Sequence, residues 1–308
     1  MKILTLTMNP TIDVSSRVGQ VIPEKKLRCD APRYEPGGGG VNVSRAIKKL
    51  DGESFALYLA GGANGQLLQD LLDKEEIENH PFSIQADTRQ NIIIREKSSD
   101  QQFRFGMPGP DVQEDEWKRC LDELRDLLPD YEYLVASGSL PRGVPQDFYA
   151  RVAKIGRQTD TRVIVDTKGD QLAPAVEQGL FMIKPNMREL ESIAGQSIET
   201  DAEMEKVAHD ILERKKCRAI VVSLGAGGAL ALFDDEHKNV RSPTVPIKSK
   251  VGAGDSMVAG IVFSLSWGKS MLQSVKYGVA AGAAAVMTPG TELCQKKDVE
   301  RLFEKLQE

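Results

Sequence analysis

From Trp117 to Phe233 the sequence alternates short apolar runs with longer amphipathic segments, and this rhythm limits the possible folds more than any other feature. Tyr133–Ala136, Arg162–Asp166, Phe181–Ile183 and Ala219–Val222 read as buried strands. Between them, Glu114–Leu128, Phe148–Gly156, the stretch holding Glu189 and Ala202–Lys215 read as helices. Such alternation predicts a largely parallel sheet with helices on both faces. Ile3–Thr7 and Phe55–Ala60 add two buried strands, and a helix is expected over Gln66–Lys74. Two stretches break the rhythm. Val14 to Tyr34 is polar with two prolines, and Asn91–Arg95 with Gln102–Phe105 forms a half-polar hairpin. Together, at about residues 14–34 and 88–106, they predict a small lid sheet. No linker or repeat divides the chain, so one domain over residues 1–308 is expected.

In such sheets ligands gather beyond the C-terminal strand ends. Polar residues recur there: Asp13 on the loop leaving the first strand, Ser137–Ser139, Asp166, Asn186 and Ser223. The partners are small molecules rather than polymers or membranes. A net charge of −5 and a pI near 5.5 argue against nucleic acid. No run approaches the ~18 apolar residues of a membrane span, and the start lacks a secretory h-region, so a cytoplasmic location is expected. Cys29, Cys120, Cys217 and Cys294 are far apart, which fits reduced thiols and gives no zinc motif. No Gly-x-Ser-x-Gly elbow supports a hydrolase.

Two glycine-rich blocks carry the chemistry. In Val251-Gly252-Ala253-Gly254-Asp255-Ser256-Met257 small residues run into a carboxylate at the start of an apolar helix. Backbone amides of Gly252, Ala253 and Gly254 would hold an anion there, with Asp255 beside it to take a hydroxyl proton. Taken alone, Asp255 reads first as a helix cap. A dinucleotide fingerprint fails at Met257, and a P-loop ending in Gly268-Lys269-Ser270 fails at Phe263. Four glycines, Gly37 to Gly40, precede Asn42, which opens an amphipathic helix. A backbone so bare suits close approach of a ligand, and Asn42 offers a donor and an acceptor to sugar hydroxyls. Gly225–Gly228 reads as a tight turn into a hairpin strand, Ala229–Phe233. Val279–Val286 reads as an alanine-rich helix able to pack beside a flat ring. Arg89 could clamp a phosphate.

In this order and separation, the two blocks resemble those of the phosphofructokinase-B carbohydrate kinases of the ribokinase superfamily, over essentially the whole chain. Within that family Thr88-Arg89-Gln90-Asn91, Ser137 to Pro141 and Lys184-Pro185-Asn186 are most similar to the 6-phosphofructokinase branch. The resemblance implies a three-layer α/β/α, ribokinase-like fold. It implies ATP-dependent phosphorylation of the C1 hydroxyl of fructose 6-phosphate, with Asp255 as base and an anion hole at Gly252–Gly254. Asp13, Gly38, Gly39 and Asn42 would bind sugar hydroxyls. Arg89 and Ser139 would hold the substrate phosphate, joined by Lys26 from a partner subunit of a homodimer built through the lid. Lys184, Asn186, Ser223, Gly225 and Gly228 would line the ATP site. Asn186 and Glu189 would govern Mg²⁺ through water, and K⁺ would bind carbonyls of Ser249, Val251 and Gly290. Related branches, the 1-phosphofructokinases and tagatose-6-phosphate kinases, typically carry a lysine where this chain has Gly39. A non-catalytic sugar-phosphate sensor would not need Asp255. Lys250, Asp51 and the Val21-Ile22 pair depart from the family pattern.

Overall fold

The computed structural model describes residues 2–214, 217–234 and 236–307. In chain order its strands are β1 (Ile3–Thr7), β2 (Thr11–Val18), β3 (Arg33–Gly37), β4 (Phe55–Ala60), β5 (Glu78–Ser83), β6 (Arg89–Glu96) and β7 (Gln102–Phe105). They continue with β8 (Tyr133–Ser137), β9 (Arg162–Asp166), β10 (Leu180–Ile183), β11 (Cys217–Ser223), β12 (Ala229–Phe233) and β13 (Glu236–Val240). The helices are α1 (Gly39–Lys49), α2 (Gly62–Lys74), α3 (Glu114–Leu127), α4 (Phe148–Thr159), α5 (Gly169–Val176) and α6 (Met187–Ala194). Four more follow: α7 (Asp201–Glu213), α8 (Ala253–Ser266), α9 (Met271–Val286) and α10 (Lys296–Lys305).

Nine strands form the main sheet, in the order β13-β12-β11-β10-β9-β8-β1-β4-β5. All neighbours are parallel except at the β11-β12-β13 end, where the expected hairpin turns back. Alternation along each central strand splits the core into two faces. Leu4 and Leu6 of β1, Val163 and Val165 of β9 and Ile220 and Val222 of β11 pack toward Trp117, Phe148, Leu172, Leu190 and Met204. Ile3, Ile164 and Val221 point the other way, onto Val43, Ile47, Val258, Ile261 and Val279. Each such fully buried aliphatic side chain contributes about 1.5–3 kcal/mol. Helices on both faces follow directly from central strands whose inner residues are buried whichever face they point to.

The second sheet, β3-β2-β6-β7, is the lid. One face carries a row Tyr34–Val14–Ile92–Phe105 across all four strands, and Tyr34, Ile92 and Phe105 are exposed. The opposite face carries Glu35–Asp13–Asn91 and, one step along, Thr11 beside Arg89.

Several expectations are corrected. Asp13 is the third residue of β2, not part of a loop, because the lid strand starts only four residues after β1. The helix assigned to Asn42 begins at Gly39: Gly38, at φ 113°, makes the break and its carbonyl accepts from the Asn42 amide. Likewise α2 starts at Gly62 and α9 at Met271, one or two turns earlier than expected. Lys215, the expected end of α7, lies outside the described residues. The edge strands β5 and β13 have polar, largely exposed sequences, Glu78–Ser83 with Pro81 inside, and so lack the alternation that marks a half-buried strand. Helix α5 is short and contains Pro174.

Candidate functional site

The C-terminal ends of β1, β8 and β9, the glycine run, the start of α8 and the inner lid face enclose a cavity of ≈ 460 Å³. Ten residues given binding or catalytic roles from the sequence line it, Asp13, Gly38, Gly39, Asn42, Arg89, Ser139, Glu189, Val251, Gly252 and Asp255, together with the strand-end residues Ser137 and Asp166.

At its floor Gly252, in the left-handed region at φ 73°, turns the chain into α8. The first turn leaves amides without carbonyl partners within the helix, pointing outward from its positive end. Asp255 stands in that turn, and Asn42 Nδ2 donates to its Oδ2 at 2.8 Å. Burial pushes the Asp255 carboxyl up to about 7, Asp166 adding to the effect, while the Asn42 hydrogen bond and Lys184 oppose it. A carboxylate so poised exchanges protons near neutral pH. Asn42 is itself buried, and its Oδ1 has no hydrogen-bond partner in the structure.

Beside this pair lies an ion pair that sequence reading left unconnected. Lys184, just past β10, places Nζ 3.2 Å from Asp166 Oδ1 at the end of β9. Both are largely buried, and a Cβ added at Gly254 would lie 3.5 Å from the ammonium. The cation therefore sits against the first turn of α8 without lining the cavity. Asn186 and Glu189 cap α6 reciprocally: Asn186 N–H donates to Glu189 Oε2 at 2.9 Å, and Glu189 N–H donates to Asn186 Oδ1 at 3.0 Å. Burial raises the Glu189 carboxyl. The capping box orients Glu189 toward the cavity, while Asn186 is exposed outside its lining.

The opposite wall belongs to the lid. Burial also raises the Asp13 carboxyl, and Asn91 Nδ2 donates to Asp13 Oδ1 at 3.0 Å. Arg89 donates to the backbone carbonyls of Asn9, Pro10 and Met107 at 3.1, 3.4 and 3.2 Å. Three of its five N–H groups are thus engaged, leaving two for a ligand. Asn9 Nδ2 holds Ser139 Oγ at 3.1 Å, and Arg104 joins the lining. Gly39 is packed so tightly that a Cβ would lie 2.4 Å from Ser137 Oγ and 2.6 Å from the Gly138 nitrogen.

Other expected residues fall outside the cavity. Lys26 is exposed on the loop between β2 and β3, and Ala253 and Gly254 lie behind Gly252 on α8. Ser223 bridges Pro185, its amide donating to that carbonyl at 2.9 Å, so the ends of β10 and β11 bring Lys184, Asn186 and Ser223 together. Gly225 and Gly228 flank the adjoining turn. Gly228 has a structural reason of its own, since a Cβ there would lie 2.0 Å from the Val240 carbonyl. Ser249, Val251 and Gly290 form one network: Ser249 Oγ donates to the Gly290 carbonyl at 2.9 Å and accepts from Val251 N–H at 3.2 Å. Among the described residues no group of three or more His, Cys, Asp or Glu side chains could hold a metal ion. The main residue sequence reading missed is Asn91. Its signal was an amide directly before the apolar run Ile92–Ile94.

Residues 4–298 match the family described as pfkB family carbohydrate kinase. The chain is 44% identical over 305 residues to an ATP-dependent 6-phosphofructokinase isozyme 2 of Mycobacterium tuberculosis, covering 98% of this chain and 89% of that protein. It is similar to the crystal structure of phosphofructokinase-2 from Escherichia coli in complex with potassium, with a TM-score of 0.96 and 37% identity, covering 100% and 99% of the two chains. The structure of the same E. coli enzyme in complex with fructose-6-phosphate matches with a TM-score of 0.93 and 36% identity, again covering 100% and 99%.

Proposed function

This chain belongs to the pfkB family of carbohydrate kinases, and on that footing we propose that it transfers the γ-phosphoryl group of ATP to the C1 hydroxyl of fructose 6-phosphate. The observation that carries the reading is Asp255, held by Asn42 at 2.8 Å in the first turn of α8, with Arg89 across the same cavity. Asp255 removes the hydroxyl proton as the oxygen attacks. Amides at the start of α8 stabilise the charge on the phosphoryl oxygens, and Lys184 adds a cation behind them. Asp13, Gly38, Gly39 and Asn42 bind the sugar hydroxyls. Arg89 and Ser139 take the 6-phosphate. Lys184, Asn186, Ser223, Gly225 and Gly228 border the nucleotide.

Glu189, beside Asp166 and Lys184, supplies a carboxylate that suits Mg²⁺ held through water. The carbonyl and hydroxyl oxygens of the Ser249–Val251–Gly290 network are neutral, as a monovalent ion such as K⁺ requires. Mg²⁺ bound with ATP offsets phosphate charge. The exposed row Tyr34–Val14–Ile92–Phe105 supports a homodimer joined through the lids, with Lys26 of each chain reaching the other's substrate phosphate.

Crowding at Gly39 favours the 6-phosphofructokinase branch, because Ser137 and Gly138 leave no room for a lysine. The test is ADP release from MgATP with fructose 6-phosphate, fructose 1-phosphate, tagatose 6-phosphate, fructose and ribose. Highest kcat/KM for fructose 6-phosphate supports the proposal. Preference for another ketose phosphate overturns the substrate assignment and keeps the kinase, whereas silence on all five with binding intact replaces it with a sensor.

A further inference from the structure

Asn91 stands opposite Asp13 in the parallel pairing of β2 with β6. Its amide can sit only one way round. Oδ1 accepts from the Met107 amide at 3.2 Å, so the NH₂ group faces Asp13 and donates to Oδ1 at 3.0 Å. The other Asp13 oxygen is confined too, since a Cβ added at Gly37 would lie 2.7 Å from Oδ2. The Met107 backbone is held on both sides: Asn91 Oδ1 accepts from its N–H, and Arg89 Nη1 donates to its carbonyl at 3.2 Å. One residue thus links the carboxylate of Asp13, through Asn91, to the guanidinium of Arg89.

We propose that Asn91 is a positioning residue for the acceptor sugar: it aims Asp13 at a substrate hydroxyl and, through the Met107 backbone, fixes the distance from that hydroxyl contact to Arg89. The inference rests on the reading of this cavity as a sugar-phosphate site. A side chain that bonds Asp13 directly and Arg89 through the backbone of one residue sets the spacing between a hydroxyl and a phosphate. The acceptor is therefore recognised by that spacing and not by either group alone. Asp13 is buried, and its carboxyl is raised by that burial while the Asn91 hydrogen bond opposes the effect. Arg104 of β7, Arg89 of β6 and Arg45 of α1 also face it, and Glu35 stands beside it on β3. None of those cations makes a hydrogen bond to Asp13 in the structure, so orientation falls to Asn91.

The experiment compares the wild-type chain, Asn91→Ala, Asp13→Ala and the double variant, with carboxyl-detected NMR titration of Asp13 as a readout that needs no substrate. In Asn91→Ala the Asp13 midpoint rises, because the hydrogen bond that opposes its burial is gone, and KM for fructose 6-phosphate rises about tenfold or more. KM for MgATP stays within about twofold, a split that general loss of structure would not produce. Adding Asn91→Ala to Asp13→Ala raises KM by a smaller factor than Asn91→Ala alone does, because only the route through Met107 to Arg89 is left to lose. An active wild type with unchanged KM in Asn91→Ala overturns the positioning role and leaves the kinase reading intact. So does full additivity in the double variant. A wild type that phosphorylates none of the five sugars overturns the kinase reading, and this inference falls with it.

Discussion

Replacing Asp255 by Asn should make the protein more stable while disabling it, and the stability gain should grow with pH. The carboxyl titrates near 7 in the folded chain against 3.8 when free. Each pH unit between those values is worth ~1.4 kcal/mol, so ionising Asp255 in the folded state costs about 4 kcal/mol at most. Water reaching the partly exposed carboxyl lowers that figure. The sign follows from proton counts. Between pH 4 and 7 the unfolded chain has lost this proton and the folded chain keeps it, so the stability contributed by protonated Asp255 falls as pH rises through the window and is gone above it. Asparagine cannot ionise and still offers Asn42 Nδ2 an acceptor. The gap between Asp255→Asn and wild type should therefore be about 1–2 kcal/mol at pH 5 and about 2–4 kcal/mol at pH 8, where a kcal/mol is ~2–4 °C in Tm for domains of this order of size. Calorimetric melting of both ligand-free proteins at pH 5, 6, 7 and 8 reads it. Turnover should drop about 10²–10⁴-fold, the usual contribution of a general base. A gap that is flat with pH, or reversed at pH 8, refutes the argument that burial rather than hydrogen bonding sets the state of Asp255.

The same titration predicts that wild-type kcat falls below about pH 7 as Asp255 becomes protonated, and steady-state rates from pH 5.5 to 8.5 will show whether it does. Arg89→Ala should raise KM for fructose 6-phosphate about 10–100-fold, the worth of one or two charged hydrogen bonds, with KM for MgATP little changed. Lys184→Met leaves Asp166 buried without its cation, which should cost about 3–5 kcal/mol in denaturant unfolding, and adding Asp166→Asn should restore part of it. Gly39→Ala pushes a methyl group against Ser137 and Gly138, so a loss of about 1–3 kcal/mol is expected; a melting point equal to wild type would show that this loop yields.

What was legible in the sequence was local. The blocks around Asp255 and Asn42 are short patterns whose backbone requirements show in consecutive residues, and both reach the cavity. Central strands were legible because their inner residues are mostly apolar on both faces. Contacts set by strand order were not. Lys184 meets Asp166 only because β10 lies beside β9, and Asn91 meets Asp13 only because β6 runs parallel to β2, so nothing in either neighbourhood announces the partner. Asp13 was placed by analogy with loops at strand ends, and the early start of β2 moved it onto a strand. The exposed edge strands carried no burial pattern to read.

The hydrogen bond from Asn42 to Asp255 joins residues 213 positions apart. One half of the proton-handling pair emerges early in synthesis and the other late, and neither is oriented until α8 has docked on α1. A polypeptide cut between them holds no working half. Activity is therefore a report on closure of the whole chain, and two fragments divided at the exposed turn between α6 and α7 should be silent apart and regain turnover only on reassembly.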